Sequence, residues 1–314
     1  MLAITVDTEH GRRHSAITAA QLADLVRRIG GEGDRFLVLQ RIPDLPDVFI
    51  QVWHETEGEA AGSGSGSYTL EYRDGAYDRH FRTMLDAPDP VIAAMTGWAA
   101  CGSEDWRAGL EWERLEFEPP PPVPELNLGD EDRALLESRV REAIVGGYAT
   151  RAELAELAED YLVADGVHPI SLAQARQLVD RIWLERVAEQ ASWQDETDPE
   201  RLTRAFAALE SVGITARENF TCCRSCGQSE IGAAGSPTAR GFVYFHSQST
   251  DAAASGHGLT LHYGGFDGLP ETTASVGHEV VAALERCGLS VEWNGDPGRS
   301  LDITRLDWRR RLVG

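Results

Sequence analysis

Three of the five cysteines in this 314-residue chain fall within five positions, in Asn219-Phe220-Thr221-Cys222-Cys223-Arg224-Ser225-Cys226-Gly227. A thiolate can act as nucleophile, redox partner or soft metal ligand, and three chemistries are open to this stretch. Cys223 and Cys226 are three apart, so one turn of chain brings both thiols to one side. As a zinc site they supply two of the four ligands that zinc takes. The sequence has no second Cys-x-x-Cys, and Cys101 and Cys287 stand far off, so histidine would complete the set. His246 shares a parity with Phe242 and Tyr244 in an aromatic strand and is the candidate ligand; His257, in a Gly-rich loop, stays open. His262 faces away from the apolar side of its strand, and His278 lies about 200° round its helix from Val276.

As a redox pair, Cys223 would lead and Cys226 would resolve, with Arg224 and a following helix start favouring the thiolate. A thioredoxin-like fold also needs flanking strands in a βαβ pattern and a proline opposite the dithiol, and no such proline is found near the following strands. As structural residues, the thiols would simply pack as small apolar groups. Phe220 is expected to end a strand, with Cys222 and Cys223 in a turn that Gly227 helps to close. Consecutive side chains on extended backbone point to opposite sides, so Cys222 is expected to turn toward packing. The candidate thiol or metal residues are Cys222, Cys223, Cys226 and His246, and zinc is the one cofactor they suggest.

Other catalytic signatures are missing. All 29 basic residues are arginine, which excludes Schiff-base, phosphate-loop and general-base lysines. There is no Gly-x-Ser-x-Gly elbow and no His-Glu-x-x-His helix. The glycines from Gly256 to Gly268 lack the strand-to-helix dinucleotide pattern and read as loop turns. No residue is assigned a catalytic role.

The net charge of −22 disfavours nucleic acid and anionic membrane and favours a basic protein partner. Residues 1–117 carry 11 Arg against 20 acidic residues and residues 118–314 carry 18 against 31, so both halves are acidic. The start has no secretory pattern and no segment approaches a membrane span, which points to the cytoplasm and to reduced thiols.

The elements that must position these residues form an α+β protein of two domains. Residues 1–117 read as a small domain. It has a strand through Ile4 and Val6, a helix capped by Thr18 and carrying Leu22, Leu25, Val26 and Ile29, and strands at 35–40 and 48–53. A flexible Gly-Ser loop over 61–67 follows, then a strand through Tyr68, Leu70 and Tyr72 with one wet face, and a helix through Val91, Met95 and Trp98. The segment 110–117 switches parity, which predicts a bulged strand near Glu113. Glu118-Pro119-Pro120-Pro121-Pro122-Val123-Pro124 opens a stiff linker over 118–130. Residues 131–314 begin with about four helices. Strands at 241–247 and 259–263, a helix at 272–287 and a closing pair through Val291 and Leu301 form a mostly antiparallel sheet, so both domains are sheets with helices. The basic tip at Trp308-Arg309-Arg310-Arg311 reads as a self-contact or a solvated end.

Residues 131–314 resemble an uncharacterised bacterial domain family of unknown function. The likeness rests on Asn219-Phe220-Thr221-Cys222-Cys223 with Cys226-Gly227, on the aromatic strand ending in His246, and on Val291-Glu292-Trp293-Asn294-Gly295. Residues 1–117 are similar, in their order of strand, helix, strands, helix and closing Leu110-Glu111-Trp112-Glu113, to small immunity proteins that neutralise toxins passed between bacteria. That likeness implies a non-enzymatic binding protein whose acidic face meets a basic toxin. The alternative is a thiol-redox or zinc-binding domain acting through Cys223 and Cys226.

Overall fold

The computed structural model describes residues 1–31, 34–55, 67–100 and 105–312. Most of the expected Gly-Ser loop, and Cys101, lie outside the described residues. The architecture is α+β, with two compact units, Met1–Glu125 and Leu126–Arg311.

The first unit is a seven-stranded antiparallel sheet with two helices on one face. In chain order it holds β1 (Ile4–Thr8), β2 (Arg13–Ser15), α1 (Ala19–Arg28), β3 (Phe36–Arg41), β4 (Val48–Glu55), β5 (Ser67–Asp74), β6 (His80–Leu85), α2 (Pro88–Ala99) and β7 (Glu113–Arg114). The sheet order is β2-β1-β3-β4-β5-β6-β7. Thr18 and Gln21 close a capping box on α1, so the backbone donors of its first turn are partly satisfied before the core forms. Leu22, Val26, Val91 and Met95 then pack on Ile4, Leu39, Ile50 and Leu70, all fully buried.

Two expectations are corrected here. The second face of β5 is dry: Thr69 and Glu71 are buried. Glu71 accepts from Gln51 Nε2 at 3.1 Å and bonds His80 Nε2 at 2.9 Å, so its carboxyl group is partnered rather than solvated. Residues 110–117 contribute only the two-residue β7. Their two parities serve two covered faces, Trp112 on Tyr72 (4.8 Å between centroids) and Phe117 on His80 (5.1 Å), and alternation accounts for this without a bulge.

The second unit opens with α3 (Asp130–Gly146), α4 (Arg151–Asp160), α5 (Leu172–Gln190) and α6 (Asp198–Ser211). Thr150 with Glu153 and Ser171 with Gln174 form capping boxes on α4 and α5. The chain continues through β8 (Ile214–Arg217), α7 (Arg224–Glu230), β9 (Gly241–Tyr244), α8 (Ser247–Ala254), β10 (Leu259–Gly265), α9 (Pro270–Arg286), β11 (Val291–Glu292) and β12 (Leu301–Ile303). The sheet order is β11-β12-β10-β9-β8, antiparallel except for the parallel pair β8–β9. Leu202, Phe206 and Leu209 of α6 and Val276, Val280 and Leu284 of α9 bury against Val243, Leu261 and Leu301 of the sheet.

The basic tip is a self-contact. Trp308 enters this core, Arg310 stands 3.7 Å over the Tyr148 ring and pairs Glu218 at 3.0 Å, and Arg311 pairs Glu200 at 2.9 Å.

Candidate metal centre

The site is built on the connection from β8 to α7. Residues 218–222 run beside 245–247, where Phe220 N–H donates to Phe245 O (2.7 Å), Ser247 N–H to Thr221 O (3.1 Å) and Ser247 Oγ to Cys222 O (3.1 Å). Asn219 and Thr221 have φ of 47° and 61°, so the chain turns twice instead of running extended. Thr250 Oγ1 donates to Asn219 Oδ1 at 2.8 Å and holds the first of these turns. Cys223 is the N-cap of α7, and its carbonyl accepts from Gly227 N–H at 3.0 Å.

Gly227 therefore lies inside α7, not in a closing turn, and its backbone rests against the ring of Tyr244. A Cβ there would come within 2.7 Å of Tyr244 Cζ. The Tyr244 hydroxyl donates to Arg224 O at 3.1 Å. A small cluster of Ile231, Phe242 and Tyr244, with Phe220 packed against it, seats the short helix on β9.

This geometry brings all three thiols together. Cys222 Sγ lies 3.5 Å from Cys226 Sγ, and the sulfurs of Cys222, Cys223 and Cys226 all fall within 4.8 Å of one another. Cys222 is exposed, not turned toward packing, because the left-handed Thr221 breaks the strand alternation on which that expectation rested. The three are free thiols. Hydrogen bonds from the Cys226 backbone and then its thiol, with one from the Cys222 thiol, hold the Cys223 thiol below its ordinary pKa. Hydrogen bonds with the Cys222 thiol and then the Cys223 thiol, with charge repulsion from both, push Cys226 up to about 11.

The structure does not bring His246 into this group. Strand β9 ends at Tyr244, and His246 is the N-cap of α8, its Nδ1 accepting from Ser249 N–H at 3.3 Å. Its ring stacks on His262 at 5.2 Å. Burial lowers the pKa of both imidazoles, and that of His262 falls to about 4. His257 is exposed in the loop after α8, His278 packs edge-on against Trp293, and Cys287 is buried in the core at the end of α9. Tyr244 is the positioning residue that sequence reasoning missed; the signal was Gly227, the one residue small enough to let α7 approach it.

These features define an α+β domain with a mixed sheet and a surface cluster of three cysteines. A family model matches residues 129–312, and the chain belongs to the family described as Domain of unknown function (DUF6891). The match contains the whole thiol site and leaves residues 1–128 outside it, so the immunity-like resemblance of the first unit gains no support from it. No curated protein and no solved structure matches the chain.

Proposed function

We propose that residues 129–312 are a metal-binding domain in which the thiolates of Cys222, Cys223 and Cys226 hold one zinc ion. The observation that carries this reading is the closeness of the three sulfurs. Tetrahedral zinc with Zn–S bonds of about 2.3 Å sets its sulfurs about 3.8 Å apart, and Cys222 and Cys226 stand at 3.5 Å. Zinc would replace the protons that the three thiols share, so its uptake releases protons and strengthens as pH rises. With three cysteine ligands, zinc would take a fourth from water or from a group on a partner.

Cobalt titration tests the reading. One equivalent of cobalt(II) should produce a thiolate charge-transfer band with tetrahedral visible absorption, and zinc should displace it. Absence of that band in reduced protein would overturn the proposal.

The acidic balance of both halves supports a second reading, association of the chain with a basic protein partner. Such binding should weaken steeply as salt rises to physiological levels, and salt-independent binding would contradict it.

A further inference from the structure

The opposite flank of α7 carries a different chemistry. Arg224 and Gln228, four residues apart, share a helix face, while Cys226 lies about 200° round from Arg224. Arg224 and Gln228 border a cleft of about 190 Å³, closed by His262 and Tyr263 of β10 and by Arg299 and Ser300 of the loop between β11 and β12. Among the described residues no carboxylate lines it, although Asp302 stands near enough to His262 to act on it electrostatically.

Most arginines of this acidic chain find a carboxylate, as Arg151 does with Asp180, Arg240 with Glu279 and Arg310 with Glu218. The guanidinium groups of Arg224 and Arg299 have no ion-pair or hydrogen-bond partner among the described residues. Both side chains are exposed at the border of the cleft, so neither charge is already neutralised by the protein where an anion would bind. Both are held there by their backbones. The Arg224 carbonyl accepts from the Tyr244 hydroxyl at 3.1 Å. Arg299 N–H donates to Asp296 O at 3.0 Å, and the same oxygen takes Tyr263 Oη–H (3.2 Å) and Trp293 Nε1–H (3.1 Å).

We propose that this cleft binds a phosphate group, either as inorganic phosphate or as the head of a small phosphomonoester. Two guanidinium forks suit the doubly charged phosphate, because each can give parallel N–H bonds to two of its oxygens. The Gln228 amide and the Ser300 hydroxyl supply further donors. The cleft is large enough for a phosphate with a few waters. The proposal stands apart from the thiol site, since none of the three cysteines borders the cleft.

Isothermal titration of the full chain at low ionic strength tests it, with inorganic phosphate, phenyl phosphate and acetate as probes. The expected result is one phosphate per chain, with Arg224→Gln and Arg299→Gln each weakening binding by about tenfold or more. Arg286→Gln, an exposed arginine on α9 away from the cleft, should bind as wild type. Phosphate should also bind equally with and without added zinc, which separates this site from phosphate held on a thiolate-bound metal. Tighter binding of phenyl phosphate than of phosphate identifies a phosphomonoester site, and equal binding identifies a phosphate site. Circular dichroism confirms folding, and if one arginine variant unfolds, the other decides. No binding at millimolar phosphate, wild-type affinity in the double variant, or acetate binding as tightly as phosphate overturns the proposal.

Discussion

Replacing Gly227 with alanine would put a methyl carbon 2.7 Å from Tyr244 Cζ and 3.0 Å from its hydroxyl oxygen. Ordinary carbon contacts lie at about 3.5–4.0 Å, so ring and helix must part by about 1 Å. Tyr244 is fully buried and cannot swing away, so α7 has to lift. Overpacking of this kind costs about 1–3 kcal/mol. In a domain of this size each kcal/mol lowers Tm by about 2–4 °C, so a fall of about 2–12 °C is expected in differential scanning calorimetry. Lifting α7 also draws Cys226 away from Cys222, and metal affinity should fall by about 10–100-fold, as for other residues that position ligands. Gly232, in the turn after α7, has nothing within 4 Å of an added Cβ and is the control. Gly232→Ala should leave metal affinity unchanged and stabilise by up to about 1 kcal/mol. If Gly227→Ala melts with wild type and keeps its metal affinity, Tyr244 does not seat the thiol site.

In the metal-free protein, iodoacetamide should modify Cys223 before Cys226, because one pKa is lowered and the other raised, and Cys287 only on unfolding. Peptide mapping after short labelling checks the order, and equal labelling of the pair would contradict the hydrogen-bonding scheme. His262 has a folded pKa of about 4 against an ordinary value of 6.5, through burial first and then the nearby His246 and Arg224 charges. Its neutral form is favoured in the fold, so this contribution is complete above about pH 6.5 and is lost as pH falls toward 4. Discounted for its partly exposed ring, the loss is about 1 kcal/mol, and His262→Asn should flatten that part of the urea-midpoint profile. Identical acid slopes in the two proteins would refute it. Limited proteolysis should cut between Phe117 and Asp132, where residues 118–129 have no helix or strand, and leave two folded fragments; cleavage elsewhere first would count against separate cores.

Much of the fold could be read from local signals. Thr18 marks a helix start by its type, and the structure shows why: at Thr18 with Gln21, and again at Thr150 with Glu153 and Ser171 with Gln174, side chain and backbone satisfy each other without tertiary help. The stripe Leu136, Val140, Ile144 and the alternation Leu289, Val291, Trp293 carried their own periods. What escaped depends on distant partners. Glu71 reads as solvent-facing until His80 and Gln51 are placed beside it. Strand β8 is four residues long and takes its place from parallel pairing with β9, and α8 begins Ser-Gln-Ser-Thr, a weak helix signal, so His246 passed for a strand residue. At the site, spacing suggested Cys223 with Cys226 as a pair apart from Cys222, whereas the structure gathers all three with Cys222 and Cys226 at 3.5 Å, because the left-handed backbone at Asn219 and Thr221 repositions Cys222.

The most direct test of the central claim is the metal content and thiol count of the full chain, purified without chelator. The three-thiolate reading predicts one zinc per chain. It also predicts that three thiols resist a thiol reagent until a chelator releases them together, and that zinc is lost in Cys222→Ser, Cys223→Ser and Cys226→Ser alike. Protein that stays metal-free in excess zinc with all three thiols reactive, or that holds two of them as a disulfide, would contradict it.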